Sequence, residues 1–124
     1  MAFIYYNRNI AGNDTGDCVI RAISIALYQT WGDTYWDLCH QGFIMGDWGD
    51  NNKVWDSYLR SRGFKRRVIP NTCPDCYTVK DFCIDYPHGV YVLSTGNHTV
   101  TVKDGNYYDS WDSGSLNPIF YYER

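Results

Sequence analysis

The chain has 124 residues, 44% hydrophobic and 18% aromatic, with a net charge of -3 at pH 7. This suits one domain, 1-124, with a modest core. The acidic balance excludes a general nucleic-acid binder, since neutralising phosphates needs a basic surplus, and no stretch approaches the ~20 apolar residues of a membrane span.

Phe3-Ile4-Tyr5-Tyr6 is a short β-prone run suited to an edge strand, and residues 7–16, rich in Asn, Asp and Gly, read as loop. Asp17 is placed to cap a helix opening at Cys18, whose core stripe is Val19, Ile20, Ile23, Ala26 and Leu27, and which Trp31-Gly32 ends. A second helix is expected from Asp33 or Thr34 to about Gln41 or Phe43, with Thr34 and Asp37 at capping-box spacing. Gly42 to Asn51 reads as loop. A third helix follows from about Asn52 to Arg62, stopped by Gly63, and Phe64 to Ile69 is a candidate strand. The basic residues Arg60, Arg62, Lys65, Arg66 and Arg67 read as a solvated helix end and strand.

Thr78 caps a short fourth helix ended by Pro87, after which the period changes to two. Val90 to Leu93 and His98 to Val102 are strands, Asp104-Gly105 is a hairpin turn, Asn106 to Trp111 is the returning strand, and Ile119 to Tyr122 closes the sheet. Helices first and an antiparallel sheet after give an α+β domain, N-terminal helices packed on a C-terminal sheet.

The chemistry-bearing stretch is Asn13 to Ile23. A Gly-containing polar turn delivers Cys18 to the first turn of an apolar helix, where unpartnered N–H groups and the helix dipole favour a thiolate. The same N–H groups can hold the oxyanion of an attacked carbonyl. With Lys103 opposite Asn106, Val102 meets Tyr107, Val100 meets Asp109 and His98 meets Trp111. Asp109 is then a diagonal neighbour of His98 and orients the imidazole, while Asp112 points the other way. Thiolate, imidazole and orienting acid form a nucleophilic set.

Gly16-Asp17-Cys18-Val19-Ile20-Arg21-Ala22, Gly96-Asn97-His98 and Asp109-Ser110-Trp111 resemble the papain-like cysteine peptidase fold, in particular the minimal versions encoded by bacterial viruses and their hosts. Asp109-Ser110-Trp111 is similar to that family's Asn-Ser-Trp segment. The resemblance implies a papain-like α+β domain and a small thiol protease or amide-cleaving hydrolase with a Cys18-His98-Asp109 triad. It implies a protein or peptide substrate, a viral protein acting in the cytoplasm of the producing or host cell, and no cofactor. The family's oxyanion Gln is missing, since no Gln precedes Gln29; Asn13, in the turn before Cys18, is the expected substitute, with Asn9 second. Asp17 and Trp111 are assigned to substrate binding. The alternative is a catalytically silent papain-fold module that binds a host protein partner.

The other cysteines are Cys39, Cys73, Cys76 and Cys83. With no leader in Met1 to Asn9, an odd count argues against a disulfide framework. Cys73-Pro74-Asp75-Cys76 lacks the second CxxC of a zinc ribbon, so no metal site is assigned. Cys39 and Cys83 read as buried on helix faces.

Overall fold

A computed structural model describes residues 2–13, 15–70 and 76–124. Its elements run β1 (Phe3–Tyr5), α1 (Cys18–Leu27), α2 (Trp31–Met45), α3 (Asn52–Ser61), β2 (Lys65–Val68), α4 (Val79–Asp85), β3 (Val90–Ser94), β4 (Thr99–Lys103), β5 (Asn106–Asp109) and β6 (Phe120–Glu123). The strands form one six-stranded sheet in the order β1-β5-β4-β3-β6-β2. This is an α+β domain.

The hairpin follows from its turn. Asp104 and Gly105 both have positive φ, 51° and 77°, the conformation that lets a two-residue loop match strand twist. The register is the expected one, with Lys103 opposite Asn106 and Val102 opposite Tyr107. Alternation then places Val100, Val102 and Tyr107 in one buried cluster with Val79, Phe82 and Cys83 of α4. On the other face, Val92 and Tyr122 pack with Ala22, Ile23, Trp55 and Leu59 of α1 and α3. Thr101 also faces α1, donating from its hydroxyl to the Ala22 carbonyl at 2.5 Å. The sheet is therefore a middle layer, and burying a side chain such as Ile23 in it contributes about 2 kcal/mol.

Three expectations need correction. The sheet is mixed rather than antiparallel: β1 runs parallel to β5, Phe3 beside Tyr107, with the two rings 5.6 Å apart. Trp31-Gly32 does not end α1. Tyr28, in the left-handed region, ends it, and its N–H bonds back to Ile25. Thr30 then caps α2, its hydroxyl accepting from the Asp33 N–H at 3.0 Å, so Trp31 opens that helix. Thr34 is not a cap. It is buried, and its hydroxyl bonds to Ser24 Oγ at 2.9 Å and the Thr30 carbonyl at 3.0 Å.

α2 also runs through Gly42 to Met45. The loop after it folds back on the helix at two glycines. The Asp47 N–H donates to the Gly42 carbonyl at 2.8 Å. A Cβ on Gly42 would lie 2.6 Å from the Asp47 carbonyl oxygen, and one on Gly49 would lie 2.9 Å from the Leu38 carbonyl oxygen. Backbone packs on backbone there, which fixes the loop carrying Trp48. Thr78 caps α4 as expected, and Asp81 completes a capping box with it that was not expected.

Candidate active site

Cys18 stands at the N-terminal end of α1 and is half-buried. The first backbone bond of the helix is Arg21 N–H to the Asp17 carbonyl, 2.9 Å, so the N–H groups of Cys18, Val19 and Ile20 precede the intrahelical ladder. Asp17 occupies the capping position without capping. Its carboxylate is turned away, held by the Arg21 guanidinium and by Trp31 Nε1–H at 2.8 Å. Asp17 thus supplies no side-chain acceptor at the helix start that would compete with an oxyanion.

His98 arrives from a tight turn between β3 and β4, in which the Thr95 N–H donates to the His98 carbonyl at 2.9 Å and Gly96 has φ +99°. Only glycine adopts that φ without strain. Asp109 ends β5. The two side chains meet, His98 Nε2 to Asp109 Oδ2, at 2.6 Å. With Nε2 so occupied, Nδ1 is the ring nitrogen left for the Cys18 thiol. The Asp109 carboxylate also accepts from Ser113 Oγ at 2.7 Å, the Ser110 N–H at 2.7 Å and Arg21 at 3.0 Å. The Trp111 ring lies 4.8 Å from the imidazole.

These contacts set the protonation states. Burial opposes ionisation of the Cys18 thiol. Hydrogen bonds from His98 and from the Thr99 backbone, with the nearby His98 charge, outweigh it and hold the pKa below the usual thiol value. Burial likewise opposes charge on His98, but the bonds to Asp109 and Cys18 raise its pKa to about 9. Burial would raise Asp109, yet the bonds from His98 and Ser113 bring it below the ordinary carboxylate value. All three shifts favour thiolate, imidazolium and carboxylate together, the protonation pattern of an activated nucleophile.

A cleft of about 560 Å³ lies beside the start of α1, lined there by the residues flanking Cys18 and not by Cys18, His98 or Asp109. Gly16, Asp17, Val19 and Ile20 form one side; Trp31, Tyr35, Leu38 and Cys39 of α2 and Trp48 to Asp50 of the following loop form the other.

Cys18, His98 and Asp109 are therefore brought together, with Trp111 half-exposed beside the ring. Asn13 is not brought to them. It is exposed on the loop, and Asn9 lines the cleft instead. Asp17 lines the cleft but is 6% exposed, and its carboxylate is engaged by Arg21 and Trp31. Asp112 bonds to the Tyr107 hydroxyl at 2.6 Å rather than to His98. Cys83 is buried as expected, whereas Cys39 is exposed at the cleft. Cys76 is disulfide-bonded, against the expectation from the odd count; Cys73 lies outside the described residues. Among the described residues no cluster of His, Cys, Asp or Glu is arranged to hold a metal, and no helix is long and apolar enough to cross a membrane.

No family model, curated protein or solved structure matches the chain. The site stands on its own geometry.

Sequence reasoning missed Arg21, Thr99 and Ser113. For Arg21 a signal was present: a lone cation inside an otherwise apolar helix, four residues after an aspartate. Thr99 acts through its backbone, which no side-chain pattern reports.

Proposed function

We propose that the chain is a small cysteine hydrolase of peptides or related amides, with Cys18 as nucleophile, His98 as base and acid, and Asp109 as the orienting carboxylate. The observation that carries this reading is the His98–Asp109 bond of 2.6 Å, on an imidazole whose influence holds the Cys18 thiol below its usual pKa. In the reaction the Cys18 thiolate adds to the substrate carbonyl carbon, forming a C–S bond, and the carbonyl oxygen becomes an oxyanion. The N–H groups at the start of α1 are placed to hold that charge. Asn9 takes over from Asn13 as the side-chain donor candidate, because its own oxygen is engaged by the Ala11 N–H at 2.9 Å, leaving the amide NH2.

Collapse of the intermediate breaks the C–N bond as His98 protonates the leaving amine. Water then attacks the thioester, giving its proton to His98, and the C–S bond breaks to release the acid and restore the ion pair. The likeness to minimal papain-like enzymes agrees with this order of elements: nucleophile on an early helix, base and acid on consecutive strands. Trp111 shields the His98–Asp109 bond in this reading.

The test is turnover of a fluorogenic peptide-amide library by the parent and by Cys18→Ala. Cleavage by the parent that falls at least a hundredfold in the variant supports the reading. Equal turnover by both overturns it.

A second reading, a silent module that binds a protein partner, is favoured by the exposed aromatics Trp36, Phe43 and Trp48, which are 71%, 85% and 82% exposed on α2 and its following loop. It predicts an unimpaired biological effect in Cys18→Ala and loss of effect on replacing these aromatics.

A further inference from the structure

Arg21 has no part in the proton transfers above, yet its side chain is only 5% exposed. It lies one helical turn after Cys18. One arm of the guanidinium pairs with Asp17 and the other donates to Asp109 Oδ1 at 3.0 Å. Trp31 Nε1–H holds the second Asp17 oxygen at 2.8 Å.

A buried cation kept for packing alone needs one counter-ion. This one is shared by two, and one of them is the carboxylate already bonded to His98, Ser113 and the Ser110 N–H. Two carboxylates around one guanidinium leave a unit of negative charge in a low-dielectric setting, where it acts strongly. His98 is the adjoining group that can carry the balancing proton. The charged and titratable groups facing the imidazole are Cys18 from α1 and Asp109 from β5, with Arg21 and Asp17 behind Asp109.

We propose that Arg21 and Asp17 are positioning residues of the site. Arg21 fixes the Asp109 carboxylate to the helix that carries Cys18. Asp17 draws off part of the guanidinium, so Asp109 keeps the negative field that holds a proton on His98. The role rests on the hydrolase reading of the triad. It also accounts for the uncapped start of α1: a carboxylate committed to Arg21 and Trp31 is withheld from the N–H groups beside the nucleophile.

The test is an NMR titration of the His98 imidazole with the pH profile of Cys18 alkylation by iodoacetamide, in the parent, Asp17→Asn, Trp31→Phe and His98→Ala. Asp17→Asn is expected to lower the His98 midpoint by roughly half a pH unit to one unit, because Arg21 then neutralises Asp109 alone. The upper limb of the alkylation profile moves down with it. Trp31→Phe removes only the N–H that offsets the Asp17 charge, and shifts the midpoint the opposite way, upward. A folded Asp17→Asn protein with an unchanged midpoint overturns the proposal. If that variant does not fold, an unchanged or lowered midpoint in Trp31→Phe overturns it. His98→Ala separates the two readings. Cys18 alkylation indifferent to His98 sinks the triad itself, whereas a His98-dependent thiol with a midpoint indifferent to Asp17 sinks only the positioning role.

Discussion

Gly42→Ala sets two effects of opposite sign against each other. Gly42 is interior to α2, so helix propensity alone makes alanine stabilising by about 1 kcal/mol. The added Cβ would sit 2.6 Å from the Asp47 carbonyl oxygen, 3.0 Å from the Gly49 nitrogen and 3.1 Å from the Trp48 carbonyl carbon. All three are backbone atoms on a loop that is itself pinned, so no side chain can swing aside. Relieving the contact means pushing the loop outward and loosening the Asp47 N–H bond to the Gly42 carbonyl. Overpacking of this kind costs about 1–3 kcal/mol and the weakened bond about 1 kcal/mol more. The steric term wins, leaving a net loss of about 2 kcal/mol. For a domain of this size that is a fall in Tm of roughly 6–10 °C, measured by circular dichroism or calorimetry. A rise in Tm would show that the loop yields freely and that the cleft wall carrying Trp48 is not fixed as described.

Cys18 alkylation should run fast from the lowered thiol pKa upward and change character near pH 9, where His98 gives up its proton; a profile of ordinary thiol shape at all pH values would refute the ion pair. The sign for stability follows from the raised His98 pKa. Its contribution is fully present below the unfolded value of 6.5 and is lost as pH rises through about 9, so the parent's stability advantage over His98→Gln in urea should shrink between pH 6.5 and 9, and an advantage constant across that window would refute it. Asp109→Asn keeps the shape but removes the charge that bonds His98 Nε2. Its His98 midpoint should fall back toward 6.5, with turnover reduced on the order of 100-fold or more; NMR titration and steady-state kinetics check both, and an unmoved midpoint contradicts the role given to Asp109.

The parts legible in the sequence were the local ones. Asp104-Gly105 gave the register of the hairpin from Lys103–Asn106 to Thr101–Tyr108, and the expected pairing of His98 with Asp109 is found beyond the end of that ladder. A polar turn before an apolar run put Cys18 at a helix start. Thr78 declared the cap of α4. What failed was decided by distant contacts. The sequence offers no sign that Phe3 would lie along Tyr107 and turn β1 parallel. Tyr28 in the left-handed region, where glycine is usual, hid the end of α1, so Trp31 was given to the wrong helix. Asp17 at a helix start is read as a cap until a buried arginine one turn on claims its carboxylate. Gly42 looked like a breaker because the backbone that needs its missing Cβ arrives only when the loop folds back.

The separation of the triad along the chain has a kinetic consequence. His98 and Asp109 are eleven residues apart, joined by a hairpin that closes on the order of microseconds. Cys18 reaches them only through a contact spanning eighty positions, and such loops close late. The base and its carboxylate are thus paired while the thiol is still an ordinary one. Nucleophilic power is the last property the chain acquires. A pulse of alkylating reagent during refolding would therefore read Cys18 as a clock for the docking of α1 on the sheet.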